Sequence, residues 1–229
     1  MKNLPLAISL ILLLCFSANA QSVADRGVTH DGTYMNPDFG FSFKYPKDWV
    51  VHGEATNERI RELGKEKIAE DGKSKASLEV AMNNTYQLLT VFRYAVGTPG
   101  IGFNPAILIF AEKVSHAPGI TNGKDYLLNV RALSATTGTK ALLKEPKEYQ
   151  LSGSQFFRDD YAAQVNGMPM VQVYFATLVK GYAVVFVFIG EDQKSVDEMT
   201  KSMETFDTVL PVRRDVTTII GTPPKPKPN

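Results

Sequence analysis

The chain has 229 residues, 44% hydrophobic, 21% charged and 10% aromatic, a globular balance that excludes a disordered chain, a collagen-like repeat and a coiled coil. With 25 basic and 24 acidic residues its net charge is +1, too near neutral for electrostatic capture of nucleic acid or of an anionic membrane. A chain of this length buries enough apolar surface to need neither a metal nor a disulfide.

Lys2, the thirteen-residue apolar stretch Leu4 to Phe16 and the small residues Ala18-Asn19-Ala20 have the pattern of a secretory signal peptide over 1–20. The stretch is short of the roughly 20 apolar residues that span a bilayer. Leu14 before Cys15 is bulky where a lipoprotein processing site carries a small residue, which disfavours a lipid anchor there. Cleavage after Ala20 leaves 209 residues, with 24 basic against 24 acidic residues and no cysteine. That composition excludes thiol catalysis, redox motifs and cysteine-ligated metal. The expected location is exported, periplasmic or extracellular.

Residues 21–32 are polar and lack periodicity, and are expected as an extended leader to a single domain over 33–210. Thr33 to Asn36 and Phe41 to Tyr45 flank Pro37-Asp38-Phe39-Gly40, the chemistry of a reversal between two strands. Pro46 ends the second strand, and Trp49 is expected to be largely buried. Asn57 to Glu70 carries Ile60, Leu63 and Ile68 on one helical face, as a surface helix does. In Lys73 to Asn83 composition favours helix whereas the alternation of Leu78, Val80 and Met82 favours strand; the weight lies with helix.

Leu88 to Ala95 and Ala106 to Val114 are strand-length apolar runs joined by a loop rich in glycine and proline. Tyr126, Val130, Leu133 and Thr137 share a helical stripe from about Gly123 to Thr137, with Asn122 as N-cap and Gly138 as stop. Four strands follow: Lys147 to Leu151, Gln155 to Val165, Met170 to Lys180 and Tyr182 to Gly190, with Asn166-Gly167 and Lys180-Gly181 at reversals. The last is apolar on both faces, so it belongs inside a sheet covered on both sides. Asp192 to Phe206 is amphipathic, with Val196, Met199, Met203 and Phe206 in one stripe and Asp192 or Ser195 as cap. Pro211 to Asn229 holds five prolines in nineteen residues, which favours a disordered, solvated polyproline II tail.

The run from Tyr34 to Trp49, with Gly40-Phe41-Ser42-Phe43, Tyr45-Pro46 and Trp49, resembles the opening of PsbP/Mog-like domains. The strand pair around Lys180-Gly181-Tyr182 and the closing amphipathic helix resemble the far end of the same superfamily. The resemblance implies an α+β fold in which an antiparallel sheet of about six strands lies between helical layers, an α-β-α sandwich. Members include extrinsic photosynthetic subunits, a nuclear Ran-binding protein and exported bacterial proteins. Export and the short leader fit the last group, and the resemblance carries no functional residue with it.

Motifs for chemistry are sparse. There is no Gly-x-Ser-x-Gly and no His-Glu-x-x-His, and His30, His52 and His116 are scattered. The Gly97 to Gly102 loop lacks the Lys-Ser/Thr of a phosphate loop. Asp159 and Asp160 are adjacent on a strand and point to opposite faces, so they cannot share a proton or an ion. Glu191-Asp192 reads as a helix start.

The expected function is therefore a non-enzymatic accessory or binding domain acting through protein contact, without cofactor or metal. Nucleic acid and stable membrane insertion are not expected. The alternatives are a carrier of a small apolar ligand between sheet and helices, and an enzyme whose site is assembled from distant strands. The candidate partner-binding residues are Pro99, Ile101, Phe103 and Asn104, where loop flexibility and apolar side chains coincide.

Overall fold

A computed structural model describes residues 26–54, 56–58, 84–135, 138–165 and 167–208. The signal-like segment 1–20, most of the helix expected over 57–70, the ambiguous 73–83 and the proline-rich 211–229 lie outside these residues.

The strands are β1 (Val28–His30), β2 (Thr33–Asn36), β3 (Phe41–Lys44), β4 (Val50–Val51), β5 (Thr85–Phe92) and β6 (Ala106–Lys113). They continue as β7 (Lys140–Ala141), β8 (Lys147–Leu151), β9 (Ser154–Val165), β10 (Met168–Val179), β11 (Tyr182–Gly190) and β12 (Asp207–Thr208). Helix α1 spans Gly123–Ser134 and α2 spans Gln193–Thr200, continued by a 3-10 turn over Lys201–Thr205.

Among the described residues the strands form two antiparallel sheets. The small one has four strands in the order β1-β2-β3-β12; the large one has eight, ordered β4-β5-β6-β11-β10-β9-β7 with β8 also on β9. Strand β11 lies in the middle, Phe186 opposite Phe175 on one side and Ile109 on the other. Its apolar residues are buried on both faces, which explains why its sequence does not alternate.

Each face of the large sheet carries its own core. On one, Tyr126, Leu127 and Val130 of α1 pack over Phe110, Val185, Val187 and Tyr174. On the other, Tyr34, Phe41 and Phe43 of the small sheet meet Phe186, Phe188 and Phe156, joined by Val196 of α2 and by Phe206. Phe41 and Phe43 both lie against the Phe186 ring, with centroids 5.4 and 5.3 Å away, within the range of favourable aromatic pairs.

One expectation is corrected here. The large sheet has eight strands rather than about six, and a second sheet shares one of its faces with α2, so the layers are not a plain helix-sheet-helix sandwich. Within the segment expected as an extended leader, Val28–His30 is a strand antiparallel to β2. Its turn is Asp31-Gly32, with φ of 45° and 75°, the two successive positive angles of a tight hairpin turn. No helix of the described residues is long and apolar enough to cross a membrane.

The helix caps follow the sequence. The Asn122 side chain accepts from the Asp125 N–H, and Asp192 and Ser195 form a reciprocal capping box at α2.

Candidate functional site

The chain passes from the small sheet to the large one through Tyr45, Pro46, Lys47, Asp48 and Trp49. The Tyr45 N–H donates to the Gly32 carbonyl at 2.8 Å, which holds this crossing against the β1–β2 turn. The Trp49 N–H closes the next turn on the Pro46 carbonyl at 3.0 Å, after which β4 pairs with β5. Gly32 is required: its backbone is left-handed and an added Cβ would sit 2.9 Å from the Tyr45 carbonyl oxygen.

Between the turn and the crossing lies an open groove of about 500 Å³, lined by Thr29, His30, Asp31, Gly32, Tyr45, Lys47, Asp48, Trp49 and Val51. Tyr45 is buried at its base; burial raises its hydroxyl pKa, partly offset by a hydrogen bond with the Thr29 side chain. Lys47 Nζ is 3.3 Å from Asp31 Oδ1, and both side chains are mostly exposed, so their attraction is weak and screened by salt. Trp49 is half-buried and packs one part of its ring system against the core. It therefore backs onto the core while also forming part of the groove wall.

The loop chosen from sequence is elsewhere. Asn104 clasps its neck, accepting from the Tyr94 N–H at 3.0 Å and donating to the Tyr94 carbonyl at 2.8 Å. Phe103 packs, partly buried, against the core cluster under α1. Pro99 is exposed and Ile101 is half-buried. None of the four lines the groove.

The adjacent carboxylates of β9 do face opposite sides, and both are buried. Asp159 accepts from Arg131 Nη2 at 2.7 Å and from the Tyr161 hydroxyl at 2.8 Å. Asp160 accepts from Arg158 Nε at 2.7 Å, and the same guanidinium reaches Asp197 of α2 at 2.7 Å. These carboxylates anchor α1 and α2 on the two faces of one strand. Burial and the neighbouring Asp159 charge push the Tyr161 hydroxyl far above its ordinary pKa, so it stays a hydrogen-bond donor. Sequence reasoning missed the Arg131 pair because that arginine, on α1, is 28 residues from its carboxylate; the Arg158–Asp160 pair lies two residues apart on one face of β9 and was open to a reading by strand alternation.

Of the histidines, His30 is exposed in the groove, His116 is exposed in a turn, and His52 stands edge-on to Phe92, its pKa lowered by burial. Among the described residues no cluster of three His, Cys, Asp or Glu side chains could hold a metal.

No protein-family model matches the chain, and no curated protein matches it in sequence. Among solved structures it is similar to cyanobacterial PsbP (CyanoP) from Synechocystis sp. PCC 6803, at 13% identity over 80% of this chain and 95% of that one, with a TM-score of 0.45. LpqN, involved in cell envelope biogenesis of Mycobacterium tuberculosis, is 8% identical over 73% of this chain and 82% of its own, with a TM-score of 0.39. PA94 of Pseudomonas aeruginosa, a protein of unknown function, is 12% identical over 53% of this chain and 79% of its own, with a TM-score of 0.37. No function passes across likenesses at this level.

Proposed function

We propose that the protein is an exported, non-enzymatic binding domain that acts through protein contact, with the groove beside Trp49 as its contact surface. The observation that carries this reading is the position of the only tryptophan in the chain, half-buried in the wall of an open groove. Tryptophan anchors interfaces because burying its large apolar ring is strongly favourable while its N–H can exchange water for a hydrogen bond to the partner. Exposed apolar residues adjoin this part of the fold: Val28 and Met35 are cross-strand partners in the small sheet, and Val50 and Val51 form β4. The groove is open to solvent, which favours surface contact over enclosure of a small apolar ligand. The buried carboxylates at 159 and 160 serve to seat helices, a structural use.

A photo-crosslinking residue placed at Val51, and another at the exposed Leu128 of α1 as control, tests this in the exporting cell. The expected result is a discrete crosslink at 51 to a protein segment, within the chain or from a partner, absent at 128 and lost when Trp49→Ala is added. The same adducts at both positions, or recovery of a tightly held small molecule by native mass spectrometry, would overturn it. Amino-terminal sequencing of the exported protein should begin at Gln21.

A further inference from the structure

The groove combines two kinds of side chain that recognise one kind of ligand. Tyr45 and Trp49 are aromatic, and Asp31 and Asp48 are acidic. Aromatic-lined grooves take proline-rich segments in polyproline II form, whose rings are preformed apolar ridges and whose ordering cost is low. Carboxylates at the rim of such a groove select segments that also carry cations.

The chain contains such a segment: Pro223-Pro224-Lys225-Pro226-Lys227-Pro228-Asn229. A polyproline II helix has 3 residues per turn, which places Pro223 and Pro226 on one edge and sets Lys225 and Lys227 on the other two. We propose that the groove is a polyproline-recognition site and that its occupant is this segment of the same chain. The proposal rests on the groove being a contact surface, as argued above, and names what it contacts.

Reach permits it. The last described strand, β12, pairs Thr208 with Phe41, and β3 runs from Phe41 toward Tyr45 at the base of the groove. From Thr208 to Pro223 the chain has 15 residues, about 50 Å when extended and roughly 20 Å as a flexible coil. Four residues of β3 cover only about 14 Å. A tether of that length gives an effective concentration near the millimolar range, so the weak affinity typical of a short proline-rich segment is enough. The charges in the groove are His30, Asp31, Lys47 and Asp48. Lys47 already lies against Asp31, which leaves Asp48 as the carboxylate that meets the incoming lysine.

The test is zero-length carbodiimide coupling on the full-length chain, mixing unlabelled and nitrogen-15-labelled protein before reaction. Mass spectrometry should show Lys225 or Lys227 joined to Asp48 or Asp31, with both halves of the adduct carrying the same isotope. Adducts spread evenly over exposed carboxylates such as Glu148 and Asp207, or adducts of mixed label, overturn the proposal; mixed label would assign the occupant to a second copy. As a second readout, Lys225→Glu with Lys227→Glu should shift the emission of the single tryptophan to longer wavelength, with an unchanged circular dichroism spectrum. Unchanged emission counts against the proposal. If both readouts fail while the adduct at residue 51 persists, the groove contacts another protein and only the identity of the occupant falls. Loss of that adduct as well removes the contact surface itself.

Discussion

Arg131 of α1 grips Asp159 of β9 in a two-pronged ion pair, and the carboxylate it holds is wholly shielded from solvent while the guanidinium is not. The same arginine donates to the carbonyls of Leu143 and Lys144 at 3.1 and 3.0 Å. One side chain therefore joins a helix, a strand of the large sheet and the connection before β8. Arg131→Ala leaves a buried carboxylate without its cation, which costs about 3 to 5 kcal/mol. Combining it with Asp159→Leu removes the stranded charge and should recover a large part of that loss. Urea denaturation of both variants checks this; equal destabilisation would mean that packing, not charge, carries the effect.

Legibility followed the range of the interaction. Strands β5, β6, β8, β9, β10 and β11 and the caps at Asn122 and Asp192 were readable because apolar runs, turn residues and cap spacing are local. Alternation placed Asp159 and Asp160 on opposite faces for the same reason. The Arg131 partner of Asp159 was not readable, since it depends on how α1 settles on the sheet; Arg158, two residues before Asp160 on the same face of β9, carried a local signal in the strand alternation. Strand β1 did carry a signal, Asp31-Gly32 between β-compatible residues, but its three exposed residues show no alternation. The groove depends on where two sheets meet, and no periodicity encodes that.

Trp49 and Phe43 are six residues apart and differ in environment: Phe43 is fully buried between the sheets, whereas Trp49 is only partly buried, at the groove wall. Phe43→Ala should cost about 3 to 5 kcal/mol, the range for emptying a buried aromatic site. Trp49→Ala empties only part of one, and about 1 to 2 kcal/mol is expected on the same scale. Chemical denaturation decides, and a larger loss at Trp49 than at Phe43 would return the tryptophan to the core.

Glu112 of β6 accepts a hydrogen bond from the Tyr126 hydroxyl at 2.7 Å. Burial raises its pKa above the ordinary 4.5, and the Tyr126 bond opposes that shift without cancelling it. The folded state then holds this proton more tightly than the unfolded state does, so the contribution to stability falls as pH rises through the interval between the two values and is flat above it. Glu112→Gln keeps an acceptor for Tyr126 and removes the titration. The melting temperature of wild type minus that of the variant should decrease as pH is raised through the interval, and a difference independent of pH would refute the assignment.

The loop between β5 and β6 separates into a structural and a free part. Asn104→Ala removes two hydrogen bonds to the Tyr94 backbone, and about 1 to 2 kcal/mol of stability should go with them. Phe103→Ser withdraws a ring from the core under α1 and should be similarly costly. Ile101→Ser, at a half-buried position outside either core cluster, should change the melting temperature least. If Ile101→Ser proves the most damaging of the three, the loop closes over the core differently from the arrangement seen here.

Gly123 opens α1, a position where alanine ordinarily stabilises a helix by about 0.5 to 1 kcal/mol. Here the sign should reverse. An added Cβ would overlap the Ala176 carbonyl of β10 and lie 3.2 Å from the Phe157 ring. The Ala176 obstacle is backbone in the middle of the large sheet, paired with β9 and β11, so it cannot swing aside as the end of a long side chain would. The helix must move instead, lifting Tyr126, Leu127 and Val130 from the core and stretching the Arg131 pair. Overpacking of this kind costs about 1 to 3 kcal/mol, more than the helix gains from the methyl group. Gly53→Ala serves as control, because nothing lies within 4 Å of the added atom. Gly123→Ala should lower the unfolding midpoint and weaken amide protection in β10 and α1, while Gly53→Ala leaves both unchanged. A stabilised Gly123→Ala variant would mean that α1 is not seated against β10 as closely as the geometry requires.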